Sequence, residues 1–250
     1  MNFNKLKKLE NEEVKEESGK GKQSINLGNG SEVIYIQKFI GYEKSWEFFD
    51  YLNKHIPWIR PTIRVFGRQC LQPRDTCYVA SPGLPELVYS GYKPHAYSWD
   101  DFPPIKDLLD MVRMLVSVFD FKVHEALPGS KFNSLLLNRY KAGNDNVGWH
   151  ADDEKLYGPT PEIASVSFGC EREFLLKKRP VKSSQERLDD EPASKRSKKS
   201  SHVDQLAFTL KHGSLLVMRG YTQRDWLHSV PKRAKAEAAR INLTFRHVVV

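Results

Sequence analysis

The chain has 250 residues, 40% of them hydrophobic, which supports one sizeable core with tails. Its formal charge is +8, from 39 Lys and Arg against 31 Asp and Glu, a balance that suits a polyanionic partner without identifying one. The three cysteines, Cys70, Cys77 and Cys170, form no close pair, so a disulfide framework and a zinc ribbon are excluded and a reducing compartment fits. The Lys/Glu-rich start has no apolar leader core, and the most apolar stretch, Met114 to Phe119, is too short for a bilayer, so neither secretion nor membrane insertion is expected.

Residues 1–30 are charged, then Gly/Asn-rich, and read as a disordered arm before a single domain at 31–250. That domain begins with Val33-Ile34-Tyr35-Ile36. Glu43 to His55 predicts a helix, with Trp46, Phe49 and Leu52 at helical spacing as its core stripe and Pro57 at its end. Thr62 to Arg68 predicts a short strand entering a turn at Gly67, with Phe66 beside it. Thr76 to Ala80 predicts another strand between two loop signals, Pro73-Arg74-Asp75 and Pro82-Gly83-Leu84-Pro85. Pro103 to Phe119 predicts a second helix, its apolar face formed by Ile105, Leu108, Leu109, Val112, Leu115 and Val116.

From Phe132 onward the pattern is of strands: Ser134 to Tyr140, Ile163 to Phe168, Glu173 to Lys177, Leu206 to Leu210, Ser214 to Met218, Trp226 to Val230 and Ala239 to Val248. Short strands with intervening turns predict a sandwich or barrel. Residues 178–204 interrupt them with Ser, Lys, Arg, Asp and Glu and read as a disordered basic insertion, in which Lys195-Arg196-Ser197-Lys198-Lys199 is a candidate nuclear address.

Chemistry concentrates in three places. In His150-Ala151-Asp152, an imidazole and a carboxylate two residues apart project to one side of an extended backbone, within reach of one metal ion. His228 in Trp226-Leu227-His228-Ser229-Val230 is the candidate third ligand, carried inward if Trp226 and Val230 share its face. Two histidines and a carboxylate form the facial triad of non-haem Fe(II) oxygenases and can equally hold Zn²⁺. Finally, Arg240 to Arg246 alternates Ile241, Leu243 and Phe245 with Arg240, Asn242, Thr244 and Arg246. A half-buried strand of that pattern shows guanidiniums and an amide to a cavity suited to a small dicarboxylate. A zinc hydrolase would leave this face unexplained.

Together with Asn138-Arg139-Tyr140, these motifs resemble the AlkB family of Fe(II)- and 2-oxoglutarate-dependent dioxygenases over roughly Ile34 to His247. The likeness is greatest to the nuclear branch that repairs alkylated double-stranded DNA. It implies a mainly β fold with flanking helices, a double-stranded β-helix (jelly roll) with an N-terminal nucleotide-recognition lid at 60–92. It also implies Fe(II) held by His150, Asp152 and His228, with 2-oxoglutarate and O2 as cosubstrates. Arg240 would clamp the distal carboxylate with Asn138 and Tyr140, while Asn242 and Arg246 serve the metal end. Phe66 would be a wedge in the base stack, Arg74 a phosphate contact and Tyr89 a stacking partner. Asp153, ahead of Glu154, would meet the exocyclic amino group of the flipped base. Leu87 departs from the aromatic common at its place.

The implied activity is oxidative demethylation of 1-methyladenine and 3-methylcytosine in DNA by a nuclear monomer, with formaldehyde, CO2 and succinate released. An RNA demethylase of the same chemistry is the first alternative, since no residue here is identified as a reader of a 2′-hydroxyl. A non-catalytic jelly-roll module that binds nucleic acid is the second, and loss of a metal ligand would mark it.

Overall fold

Alternation of apolar and polar residues in the C-terminal half generates strands that pair into two facing sheets. The computed structural model describes residues 21–65, 67–119, 131–180 and 205–249. Its elements are β1 (Lys22–Gly28), β2 (Ser31–Ile36), α1 (Tyr42–His55), β3 (Thr62–Val65), β4 (Arg68–Leu71), β5 (Asp75–Ala80), β6 (Ala96–Tyr97) and α2 (Pro103–Phe119). There follow β7 (Ser134–Tyr140), β8 (Val147–His150), β9 (Ile163–Gly169), β10 (Arg172–Lys178), β11 (Gln205–Leu210), β12 (Ser214–Gly220), α3 (Thr222–Asp225), β13 (Trp226–Val230) and β14 (Arg240–Arg246). The larger sheet has the order β1-β2-β12-β9-β14-β7-β5-β6 and the smaller β11-β10-β13-β8, a jelly roll; β3 and β4 form a separate hairpin.

Helices α1 and α2 cover the outer face of the larger sheet. Phe48, Leu52, Ile105, Leu108 and Val112 pack there on Leu135, Leu137, Val166, Ile241, Leu243 and Phe245. Each such side chain contributes about 1.5–3 kcal/mol on burial. A second cluster fills one end of the space between the sheets, with Phe174, Leu176, Phe208 and Leu210 against Val33, Tyr35, Ile163, Leu216 and Met218.

β14 lies in the middle of the larger sheet, paired on one edge with β7 and on the other with β9; Ile241, Leu243 and Phe245 pack under the helices, Arg240, Asn242, Thr244 and Arg246 face the cavity, and all seven residues are buried. The half-buried strand expected from alternation is corrected accordingly: the polar face looks into the interior between the sheets.

Three further expectations change. Residues 22–30 are not an arm: β1 pairs antiparallel with β2, and the Gly/Asn-rich stretch is its turn, with Gly28, Asn29 and Gly30 at φ 82°, 51° and 73°. In α1 the buried line runs through Ser45, Phe48 and Leu52. Trp46 lies off that line, 39% exposed, with its ring 4.2 Å from that of His212, and Phe49 is partly buried at the flank. Lys178 closes β10 and the Arg179 N–H donates to the Asp225 carbonyl at 2.8 Å, so residues 178–180 belong to the fold. Residues 1–20, residues 181–204 with the Lys195 to Lys199 motif, and Phe66 lie outside the described residues.

Candidate active site

Pairing of β8 with β13 brings the two histidines together. His228 is opposite His150 and Val230 opposite Val147, so β8 uses one residue more than β13 over that span. This bulge turns both Val147 and His150 toward a cavity between the sheets, while Trp149 is 40% exposed beneath Lys177, whose Nζ is 4.3 Å from the ring centroid. Trp226, His228 and Val230 are all buried, as the shared-face expectation requires.

The imidazole rings are 4.2 Å apart, and Phe174 stacks on His228 at 5.3 Å. His150 Nδ1 is 2.9 Å from the Gly148 carbonyl, an arrangement in which Nδ1–H donates and Nε2 remains free. His150 Nε2 stands 3.8 Å from Asp152 Oδ1, and His228 Nε2 stands 4.0 Å from Oδ2. One ligand atom from each residue lies within 4.8 Å of the others.

Asp152 is fixed from two sides. Arg246 donates to Oδ2 from Nη2 at 2.8 Å and Nε at 3.2 Å, leaving Oδ1 open, while the Asp152 N–H donates to Gln223 Oε1 at 3.0 Å. Burial by itself would raise the Asp152 pKa, but Arg246, then His228 and His150, hold it well below the usual carboxylate range. Burial, reinforced by the charge of His150, pushes His228 down to about 3. His150 is lowered too, by burial and then by Arg74 and Arg246. Two neutral imidazoles beside an ionised carboxylate are the protonation state in which a divalent metal is bound.

The inward face of β14 extends the site. Arg240 sits opposite Tyr140 and Asn242 opposite Asn138 on β7, with Ser165 and Ser167 of β9 alongside. Arg240 is 1% exposed; its Nη2 donates to Ser167 Oγ at 3.0 Å, but Nε and Nη1 are buried without a partner. Its guanidinium carbon lies 5.1 Å from the Tyr140 ring centroid. Burial lowers the Arg240 pKa against the opposing influence of Tyr140, as for a buried cation that awaits an anion. Asn242 is already committed, donating to Ser165 Oγ and Val166 O and accepting from Thr244 Oγ1. It braces the face rather than offering a free donor. Asn138 Oδ1 accepts from Arg74 Nε at 2.7 Å, which leaves its amide N–H groups for the cavity.

The cavity, of about 110 Å³, is lined by all of these residues together with Leu87, Tyr89, Glu154 and Tyr157. That volume holds a small organic acid rather than one water. Arg74, expected on a phosphate, lies buried in the cavity wall, where its Nε donates to Asn138. Tyr89 reaches the cavity with a buried, unpartnered hydroxyl. Of the acidic pair, Asp153 is half exposed and bound to Arg179, whereas Glu154 faces the cavity with Oε2 buried and unpartnered. Burial, then the charge of Asp152, raises the Glu154 pKa. Gln223, Phe174 and Tyr157 were not singled out by sequence. Only their packing against Asp152, His228 and Arg246 marks them.

A jelly roll with this cluster facing paired arginines defines an iron- and 2-oxoacid-dependent oxygenase, and comparison with known proteins agrees. Residues 32–246 match the family model of the 2OG-Fe(II) oxygenase superfamily. The chain is 67% identical to the Arabidopsis thaliana DNA oxidative demethylase ALKBH2 over 91% of its own length and 70% of that protein. It is 32% identical to human DNA oxidative demethylase ALKBH2, covering 88% of this chain and 75% of that one. Human alpha-ketoglutarate-dependent dioxygenase alkB homolog 3 is also 32% identical, over 90% and 69%. The solved structure of OsALKBH1 shares the fold at a TM-score of 0.54 and 18% identity, covering 90% of this chain and 100% of that one. The chain belongs to the 2OG-Fe(II) oxygenase superfamily, and within it to the AlkB dioxygenases on the ALKBH2 branch. Its cofactors are therefore Fe(II), 2-oxoglutarate and O2. The residues present fit them, with a deprotonated donor set for the metal and orphaned Arg240 donors for a carboxylate.

Proposed function

We propose that this protein is a DNA oxidative demethylase that restores 1-methyladenine and 3-methylcytosine, preferring double-stranded DNA in the nucleus. The observation that carries the reading is one cavity holding His150, Asp152, His228 and the unsatisfied Arg240, in a chain 67% identical to a protein named as a DNA oxidative demethylase.

His150, His228 and Asp152 would hold the metal. Arg246 neutralises Asp152 Oδ2 and keeps that carboxylate from swinging. Arg240 and the Asn138 amide would receive the distal carboxylate of 2-oxoglutarate, beside Tyr140. Bound iron with 2-oxoglutarate and O2 would supply the oxidation of the N-methyl group, which would leave as formaldehyde, with the cosubstrate ending as succinate and CO2. Glu154, next to the metal carboxylate, accepts a hydrogen bond from the exocyclic amino group of the flipped base and favours its cationic ring. Leu87 and Tyr89 come from the 60–92 segment, which acts as the nucleotide-recognition lid and keeps water from the reacting methyl group.

The duplex preference is supported by the β3–β4 hairpin, which presents exposed Arg64 and Arg68 to a polyanionic partner. Incubation with Fe(II), 2-oxoglutarate and paired oligonucleotides, DNA and RNA, single and double stranded, tests it. Release of formaldehyde fastest from duplex DNA is expected. Turnover confined to RNA would overturn the assignment.

A further inference from the structure

Another buried cation stands behind the Arg240 pocket with no role in the chemistry above. Arg172, the first residue of β10, is 1% exposed, and its guanidinium carbon lies 5.5 Å from the centroid of the Tyr140 ring that Arg240 also approaches. Its partners are all backbone carbonyls. Nη2 donates to Asp145 O at 2.8 Å and to Pro231 O at 2.6 Å, and Nη1 reaches Ala142 O at 3.5 Å. Nε is buried without a partner, and no carboxylate among the described residues is paired with the guanidinium.

Those carbonyls belong to two loops. One joins β7 to β8 and so links Tyr140 to His150; the other leaves β13 after His228 and leads to Arg240. The loops already touch: the Arg233 N–H donates to Gly143 O at 2.9 Å, and a Cβ on Gly143 would lie 1.9 Å from Arg233 O. Arg172 bolts this junction with a fork that no other side chain type supplies. It also leaves a full positive charge in a low-dielectric interior, where burial lowers its pKa and Arg240 is close enough to feel it.

We infer that Arg172 is a positioning residue for the cosubstrate: it locks the loops behind the Tyr140–Arg240 pocket and adds a second buried charge that favours a dianionic 2-oxoacid over a monoanionic one. The inference rests on Arg240 as the distal-carboxylate site. With the Arg172 and Arg240 guanidinium carbons 5.5 and 5.1 Å from one ring centroid, their charges are at most about 11 Å apart, and a unit charge at that separation through an effective dielectric of about 20 changes affinity about tenfold.

The test is calorimetric titration of the full chain loaded with Mn(II) in place of Fe(II), using 2-oxoglutarate and 2-oxopentanoate, which replaces the distal carboxylate by a methyl group. Wild type should prefer 2-oxoglutarate strongly. In Arg172→Met that preference should shrink about tenfold with Mn(II) affinity unchanged. In Arg172→Lys, which keeps the charge and loses the fork, both acids should weaken together and the preference should survive. Melting curves establish that each variant is folded, and Arg172→Gln gives the same ratio if the methionine variant is not. An unchanged preference in the folded neutral variant overturns the inference while leaving Arg240 in place. Absence of any preference in wild type removes the Arg240 assignment and this inference with it.

Discussion

Replacing Arg240 by methionine should move stability and cosubstrate affinity in opposite directions. In the ligand-free protein the guanidinium makes one side-chain hydrogen bond, to Ser167, and keeps Nε and Nη1 buried and unpaired. Each unpaired buried donor costs about 1–3 kcal/mol, against about 1.5–3 kcal/mol for the bond to Ser167. A neutral side chain of similar length should therefore leave the empty protein as stable as wild type or up to about 2 kcal/mol more stable. The same change removes the charge-assisted grip on 2-oxoglutarate, worth about 1.5–3 kcal/mol, or roughly ten- to a hundredfold in Kd. Urea unfolding without cosubstrate measures the first quantity, and titration of 2-oxoglutarate into Mn(II)-loaded protein the second. A variant that is destabilised by more than about 2 kcal/mol yet binds 2-oxoglutarate normally would refute the reasoning, since Arg240 would then serve the fold and not the ligand.

His150→Ala, Asp152→Ala and His228→Ala should each abolish turnover and weaken metal binding at least tenfold; normal Fe(II) binding and full turnover in Asp152→Ala would break the triad. Glu154→Ala should slow repair of methylated bases far more than Asp153→Ala, because Glu154 faces the cavity while Asp153 pairs with Arg179 at the rim, and equal effects in steady-state assays would count against that assignment. The metal-free fold should weaken as pH falls: the unfolded chain protonates His228 below about 6.5, whereas the folded imidazole stays neutral down to about 3. The loss, at most about 1.4 kcal/mol per pH unit, lies within that window and is absent above it, so a melting temperature flat from pH 7 to 5 would contradict the burial argument. Phe66→Ala should depress repair of duplex more than of single-stranded substrate, with metal and cosubstrate binding intact; an unchanged ratio with a lowered melting temperature would make Phe66 a core residue.

Periodicity made seven of the eight C-terminal strands, all but β8, and both long helices readable, because each is set by local alternation or by a 3.6-residue repeat. The same logic placed His228 inward and split β14 into its two faces. What alternation cannot carry is pairing between distant segments. The bulge that turns Val147 and His150 to the same side exists only against β13, and the burial of the apolar face of β14 depends on α1 and α2. Asp153 and Glu154 are chemically alike and adjacent, so their opposite environments follow from Arg179 and the cavity wall rather than from their own types. The bond that holds Arg74 in the cavity wall was not legible for the same reason: its partner Asn138 is 64 residues away. Gln223 and Arg172 touch backbone atoms of remote loops, and nothing in their own neighbourhoods announces it.

The central claim is that this cavity couples cosubstrate oxidation to demethylation of a base in DNA. Its most direct test uses a duplex oligonucleotide carrying one 1-methyladenine, with Fe(II), 2-oxoglutarate and O2, and counts succinate, formaldehyde and repaired adenine in the same reaction. Equal amounts of the three, abolished together in Asp152→Ala, are the predicted result. Succinate formed without formaldehyde or repaired base, whatever the methylated strand supplied, would contradict it.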